Sequence, residues 1–194
     1  RYVTNDIRVS LPLRVPALGY TTLTVRRPNP VQHTRHALVP GLATSERSMA
    51  NELLSVIIES NGTLTLTDKR TGAVYSRLLT LEECADIGDG WYHGQASNDQ
   101  VFVSSASQAS AALVHDGPML TTFRVRVSFQ VPAEFCFDSM TRSSQLVELI
   151  ADSLVSLRPG ADRVEIETTI LNTAKDHRLR VLFPSGAAAD TYLA

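Results

Sequence analysis

The sequence predicts an all-β chain built as an antiparallel β-sandwich. Three observations carry that prediction: about ten short β-rich runs set between turn signals, strict alternation over residues 123–131, and no convincing long helix. At 194 residues the chain is long enough to bury one contiguous core without disulfides or metals. Its 43% hydrophobic and 20% charged residues form an ordinary globular balance.

Leu11-Pro12-Leu13 and Thr21-Thr22-Leu23-Thr24-Val25 read as two short strands around a Pro/Gly turn. Residues 26–47 are rich in Pro, His, Arg and Ser without periodicity, and read as a linker or loose crossover. Leu53 to Glu59 is a strand, and Asn61-Gly62 supplies the positive φ angles of a tight hairpin turn. Thr63 to Thr67 returns with Leu64 and Leu66 on one face, residues 68–72 turn again, and residues 73–76 complete a meander.

Further strands are expected at residues 100–103 and 111–114, with His115-Asp116-Gly117-Pro118 as a turn. Over residues 123–131 a period of two puts Phe123, Val125, Val127, Phe129 and Val131 on one face and Arg124, Arg126 and Gln130 on the other. Residues 145–157 fit a helical face or a strand and are assigned as strand, because residues 158–162 form a turn into the alternating strand 164–170. A last strand, residues 179–183, stops at Pro184.

The net charge of −2 and the scattered Lys and Arg argue against a nucleic-acid partner, which needs concentrated positive charge. The densest basic stretch, Arg26-Arg27 with His33, Arg35 and His36, is broken by Pro28, Pro30 and Pro40. No apolar run approaches the ~20 residues of a membrane span, so no membrane partner is expected. The chain opens on Arg1 without a leader, which reads as a cut from a longer polypeptide. The expected location is cytoplasmic, where Cys84 and Cys136 are as readily reduced core thiols as a disulfide.

The densest chemical cluster is Asp86-Ile87-Gly88-Asp89-Gly90-Trp91-Tyr92-His93-Gly94. Its glycines permit close backbone approach, its aromatics offer flat faces to a sugar ring, and its acids accept sugar hydroxyls. Asp86, Asp89, Trp91 and Tyr92 are the candidate substrate-binding residues; a glycine-rich turn plugging the sandwich end is the alternative. Asp86 and Asp89 could stand at glycosidase spacing, although nothing in the sequence brings them there. The Asp-x-Gly-Asp run lacks the late Glu of a calcium loop, so no metal ligand is assigned. Glu82-Glu83 reads as an exposed turn, and Asn61-Gly62-Thr63 as a hairpin more than a glycosylation acceptor.

In Lys175-Asp176-His177-Arg178-Leu179-Arg180, His177 beside Asp176 could transfer protons, as a sugar epimerase requires. The plainer reading has Asp176 capping the preceding turn while Arg178 and Arg180 face solvent.

Asn51-Glu52-Leu53-Leu54 running into Asn61-Gly62-Thr63-Leu64-Thr65-Leu66-Thr67-Asp68-Lys69 resembles the start of the large sandwich in glycoside hydrolase family 38 α-mannosidases of bacterial type. Asp86-Ile87-Gly88-Asp89-Gly90, residues 175–184 and Val15-Pro16-Ala17-Leu18-Gly19-Tyr20 resemble further parts of that family, in matching order. The resemblance implies a galactose-mutarotase-like super-sandwich following an N-terminal barrel and a helical domain, which would be partners within the same polypeptide. Residues 1–47 would then be a short β segment and linker, and residues 48–194 the sandwich, left incomplete at Ala194.

Such enzymes act on α-mannosides or mannosylated glycans with an Asp nucleophile and a divalent metal, usually zinc. Both reside in the barrel, so no catalytic residue, metal or cofactor is assigned to this chain, which is expected to be inactive alone. The resemblance sets the residue 86–92 loop beside the sugar pocket, with Trp91 or Tyr92 as the contact. A stand-alone carbohydrate-binding module using the same four residues is the rival reading.

Overall fold

The computed structural model describes residue 9, residues 11–26 and residues 39–188. Among them every strand pairing is antiparallel, no α-helix occurs, and no helix is long and apolar enough to cross a membrane. The basic stretch at residues 27–36 and most of the expected linker lie outside the described residues.

Strands β1 (Ala43–Ser45), β2 (Ser48–Ala50), β3 (Leu54–Ile58), β4 (Leu64–Asp68) and β5 (Val74–Leu78) form a five-stranded meander. β1 and β2 correct the linker reading at its C-terminal end: Ala43 pairs with Met49, and the Met49 side chain is fully buried. The β3–β4 hairpin differs from the expected turn in one respect. Only Gly62 takes a positive φ, of 84°, after a turn closed by Gly62 N–H to Glu59 carbonyl at 3.0 Å. A Cβ there would stand 2.6 Å from Val127 Cγ2, so the position requires glycine for packing as well as for φ.

Next come β6 (Thr80–Ala85), β7 (Phe102–Val103), a 3-10 turn at Ser104–Ala106, and the long hairpin of β8 (Ala109–Gly117) and β9 (Leu120–Pro132). The turn expected at residues 115–118 lies further on: His115 and Asp116 are strand residues paired with Thr122 and Thr121, and Gly117 faces Leu120. A short hairpin, β10 (Phe135–Cys136) and β11 (Thr141–Arg142), precedes β12 (Leu146–Leu157), β13 (Glu165–Leu171) and β14 (His177–Leu182). β12 is a strand throughout, in register with β9 from Leu146 opposite Pro132 to Leu157 opposite Thr121.

The four-stranded sheet β13-β12-β9-β8 and the five-stranded meander share one core. Alternation dictates it: Phe123, Val125, Val127, Phe129 and Val131 are each at most 6% exposed, and Leu149, Ala151, Val155 and Leu157 stack on the same face. Met49, Val56, Ile58 and Leu64 close on them from the other sheet. Each large apolar side chain so buried contributes roughly 1.5–3 kcal/mol, whereas the outward pair Arg124–Asp152 stands in solvent, which screens it. The inner face therefore holds the sandwich.

Residues 11–26 form no ladder, contrary to the two strands expected. The turn between them exists, with Gly19 N–H bonded to Pro16 carbonyl at 3.0 Å, but no described strand offers the segment a partner. Leu18, Tyr20 and Val25 stand exposed.

Candidate functional site

β14, β6 and β7 make a small third sheet, and it carries the chemistry-bearing residues. β14 pairs with β6 so that His177 lies opposite Ala85 and Leu179 opposite Glu83. This register brings together the two polar clusters that are some ninety residues apart in sequence. The Asp86 N–H donates to the Asp176 carbonyl at 2.9 Å, and the Phe135 N–H to the Asp176 carboxylate at 3.3 Å. Asp176, held at φ 52°, thus ties the foot of the residue 86–94 loop to that of the β10–β11 hairpin. It does not cap the preceding turn.

The loop is knitted from within. Asp86 Oδ1 accepts the N–H groups of Gly88 and Gly94 at 3.0 and 2.9 Å, and Asp89 Oδ1 those of Trp91 and Tyr92 at 2.8 and 3.2 Å. Backbone bonds from Ile87 to Gly94 and from Asp89 to Tyr92 close it further. Two glycines make the closure feasible: a Cβ on Gly88 would stand 2.1 Å from Tyr92 O, and one on Gly94 2.4 Å from Gly88 N. Burial alone would raise the Asp86 pKa, but the Gly94 and Gly88 N–H groups and then His93 outweigh it and hold the carboxyl below its ordinary value. His93 Nδ1 lies 3.1 Å from Asp86 Oδ2, within ion-pair reach although off hydrogen-bond alignment.

So engaged, Asp86 and Asp89 build the loop, and what the loop presents is aromatic. Trp91 is 96% and Tyr92 65% exposed, adjacent on a braced turn. That is a surface for stacking, with polar edges free to donate.

Below the loop lies a cluster that sequence reasoning missed. Glu83, read as an exposed turn residue, is the centre of β6 and fully buried. The Arg142 guanidinium pairs with Glu83 through Nη2 and reaches Asp99 through Nη1 at 3.4 Å, with Phe102 beneath it at 6.0 Å. His177 Nδ1 stands 3.2 Å from Glu83 Oε1, outside hydrogen-bond alignment, while its Nε2 bonds to Asn172 Oδ1 at 3.0 Å; the carboxylate beside His177 is thus Glu83 and not Asp176. Arg178 and Arg180 do face solvent, and Arg180 pairs with Glu82. Burying such charges costs several kcal/mol each, and an unsatisfied buried polar atom about 1–3 kcal/mol more.

Among the described residues no three His, Cys, Asp or Glu side chains converge as a metal site, so these residues do not fit a divalent cation. Cys84 and Cys136 are both free thiols.

No family model matches the chain. A protein of Halalkalibacterium halodurans, described provisionally as a mannosylglycerate hydrolase, is 27% identical over 164 residues, covering 77% of this chain and 18% of its own length. A crystal structure of an α-mannosidase from Enterococcus faecalis V583 matches with a TM-score of 0.73 and 30% identity over 76% of this chain and 18% of its own. A second Enterococcus faecalis structure, of a protein in glycosyl hydrolase family 38, matches with a TM-score of 0.76 and 29% identity over 81% of this chain and 21% of its own. The chain therefore spans about a fifth of the length of the proteins it matches. Sequence and fold agree: the chain is similar to one segment of these longer glycoside hydrolases, and its described residues form the antiparallel sheets of a β-sandwich.

Proposed function

We propose that this chain is the non-catalytic sandwich of a retaining α-mannosidase, bracing its barrel and lending the residue 86–94 loop to the rim of the sugar site. The observation that carries the reading is the partial match: an α-mannosidase chain contains a segment of this fold at 30% identity within a much longer polypeptide. The loop supports it from the other side. Its acids are spent on its own backbone, which suits an element that presents Trp91 and Tyr92 to a sugar better than one that attacks a glycosidic bond. Nucleophile, acid/base and divalent metal, zinc by family resemblance, then belong to a neighbouring barrel, which with the helical domain is the partner within the polypeptide. The substrate is an α-mannoside or mannosylated glycan.

A nitrophenyl α-mannoside assay of the purified chain, with and without zinc, tests this. No release is expected, and zinc-dependent release overturns the reading. Calorimetry with mannose oligomers addresses the rival reading, a stand-alone carbohydrate-binding module, which the nearly complete exposure of Trp91 favours. Binding lost in Trp91→Ala supports the module; no heat at millimolar sugar supports the scaffold.

A further inference from the structure

The buried ionic cluster is badly suited to stabilising a sandwich. Glu83 Oε2, Arg142 Nε and His177 Nδ1 are buried without an aligned hydrogen-bond partner. Apolar side chains of similar volume commonly replace buried ion pairs with no loss of stability. The cluster does, however, reach both ends of one segment.

Residues 86–99 leave β6 after Ala85 and return at Asp99, whose carboxylate accepts the Ala85 N–H at 3.1 and 3.0 Å and its own neighbour Gln100 N–H at 2.8 Å. Arg142 spans that neck, with one nitrogen on Glu83 of the outgoing strand and another on Asp99 of the returning segment. His177 backs Glu83 from β14 in a fixed orientation. Asn172 Oδ1 accepts the Ala174 N–H at 3.1 Å, which turns the oxygen toward His177 Nε2 at 3.0 Å and makes Nε2 the protonated nitrogen. Nδ1 is left facing Glu83 Oε1 at 3.2 Å, outside hydrogen-bond alignment.

We infer that Glu83, Arg142 and His177 are positioning residues for the aromatic rim: they lock the two ends of residues 86–99 together and so fix where Trp91 and Tyr92 stand. Only the purpose of that rim rests on the α-mannosidase reading, because the locking is read without sugar.

Trp91 is the sole tryptophan of the chain, so its fluorescence reports the loop alone. The test compares the intact chain with Glu83→Leu/Arg142→Leu/His177→Leu, measuring the thermal midpoint and the time-resolved anisotropy of Trp91. The expected result is an unchanged or raised midpoint with about a twofold larger fast anisotropy component. Wild-type anisotropy in the triple variant overturns the inference. A triple variant that unfolds, or whose midpoint falls along with its anisotropy, does so too, since the cluster would then be structural. Arg142→Lys keeps the charge but not the two-pronged span, and is expected to raise the fast component at near-normal midpoint; wild-type anisotropy there also counts against the inference.

Discussion

Asp99 grips the backbone N–H of Ala85, fourteen residues earlier, with both carboxylate oxygens. A long loop is thereby pinned at its base by a side chain that Arg142 also contacts, which separates the order of the loop from the stability of the body. Asp99→Ala should leave the thermal midpoint within a few degrees while mobilising Trp91, as Trp91 anisotropy would record. A midpoint drop as large as that of a core mutant would contradict this.

Gly88→Ala is expected to have a similarly local effect. The added methyl meets backbone atoms that cannot yield without opening the Asp86 turn. The single indole N–H resonance of Trp91 should shift or broaden, while resonances of β9 and β12 stay in place. An unmoved indole signal would mean that the close approach is not what shapes the loop.

Acid should release the loop. The Asp86 pKa is lower folded than unfolded, so its contribution is fully present above the ordinary carboxylate range and is lost as pH falls through the folded value. Trp91 anisotropy should therefore drop on acidification, and Asp86→Asn should remove that transition. A transition that survives in the variant belongs to another group.

Asn51 joins the two halves of the sandwich. Its side-chain oxygen accepts the Leu53 and Leu54 N–H groups at 2.9 and 2.7 Å, and its amide donates to the Arg158 and Ala161 carbonyls at 2.8 Å each. Truncation strands several buried partners, so Asn51→Ala should cost about 2–4 kcal/mol in urea unfolding. A change below about 0.5 kcal/mol, the level of an ordinary surface substitution, would show that relaxation or water replaces those bonds.

Phe123 on β9 was legible from its neighbours alone, because a period of two over nine residues admits one inner face. β12 was legible only through its hairpin partner, since its apolar residues also fit a helix. Residues 11–25 misled because β propensity describes how a segment fits a sheet and cannot supply a strand to pair with. Glu83 was illegible for a stronger reason. The groups that make its burial tolerable, Arg142 and His177, lie far along the chain, and nothing in Leu81-Glu82-Glu83-Cys84 announces them. The residue 86–94 loop stood out in sequence by its composition, but its acids serve its own backbone, an outcome that composition does not reveal.

Between Leu81 and Glu83, one face of a single strand passes from hydrocarbon to ions within two residues. Detergents and organic solvents attack the first of these interiors, while the second is held by charge and hydrogen bonds that they do not dissolve. The molecule should accordingly fail in instalments, its residue 86–94 loop going slack in acid as Asp86 takes up a proton while the body beneath it stands.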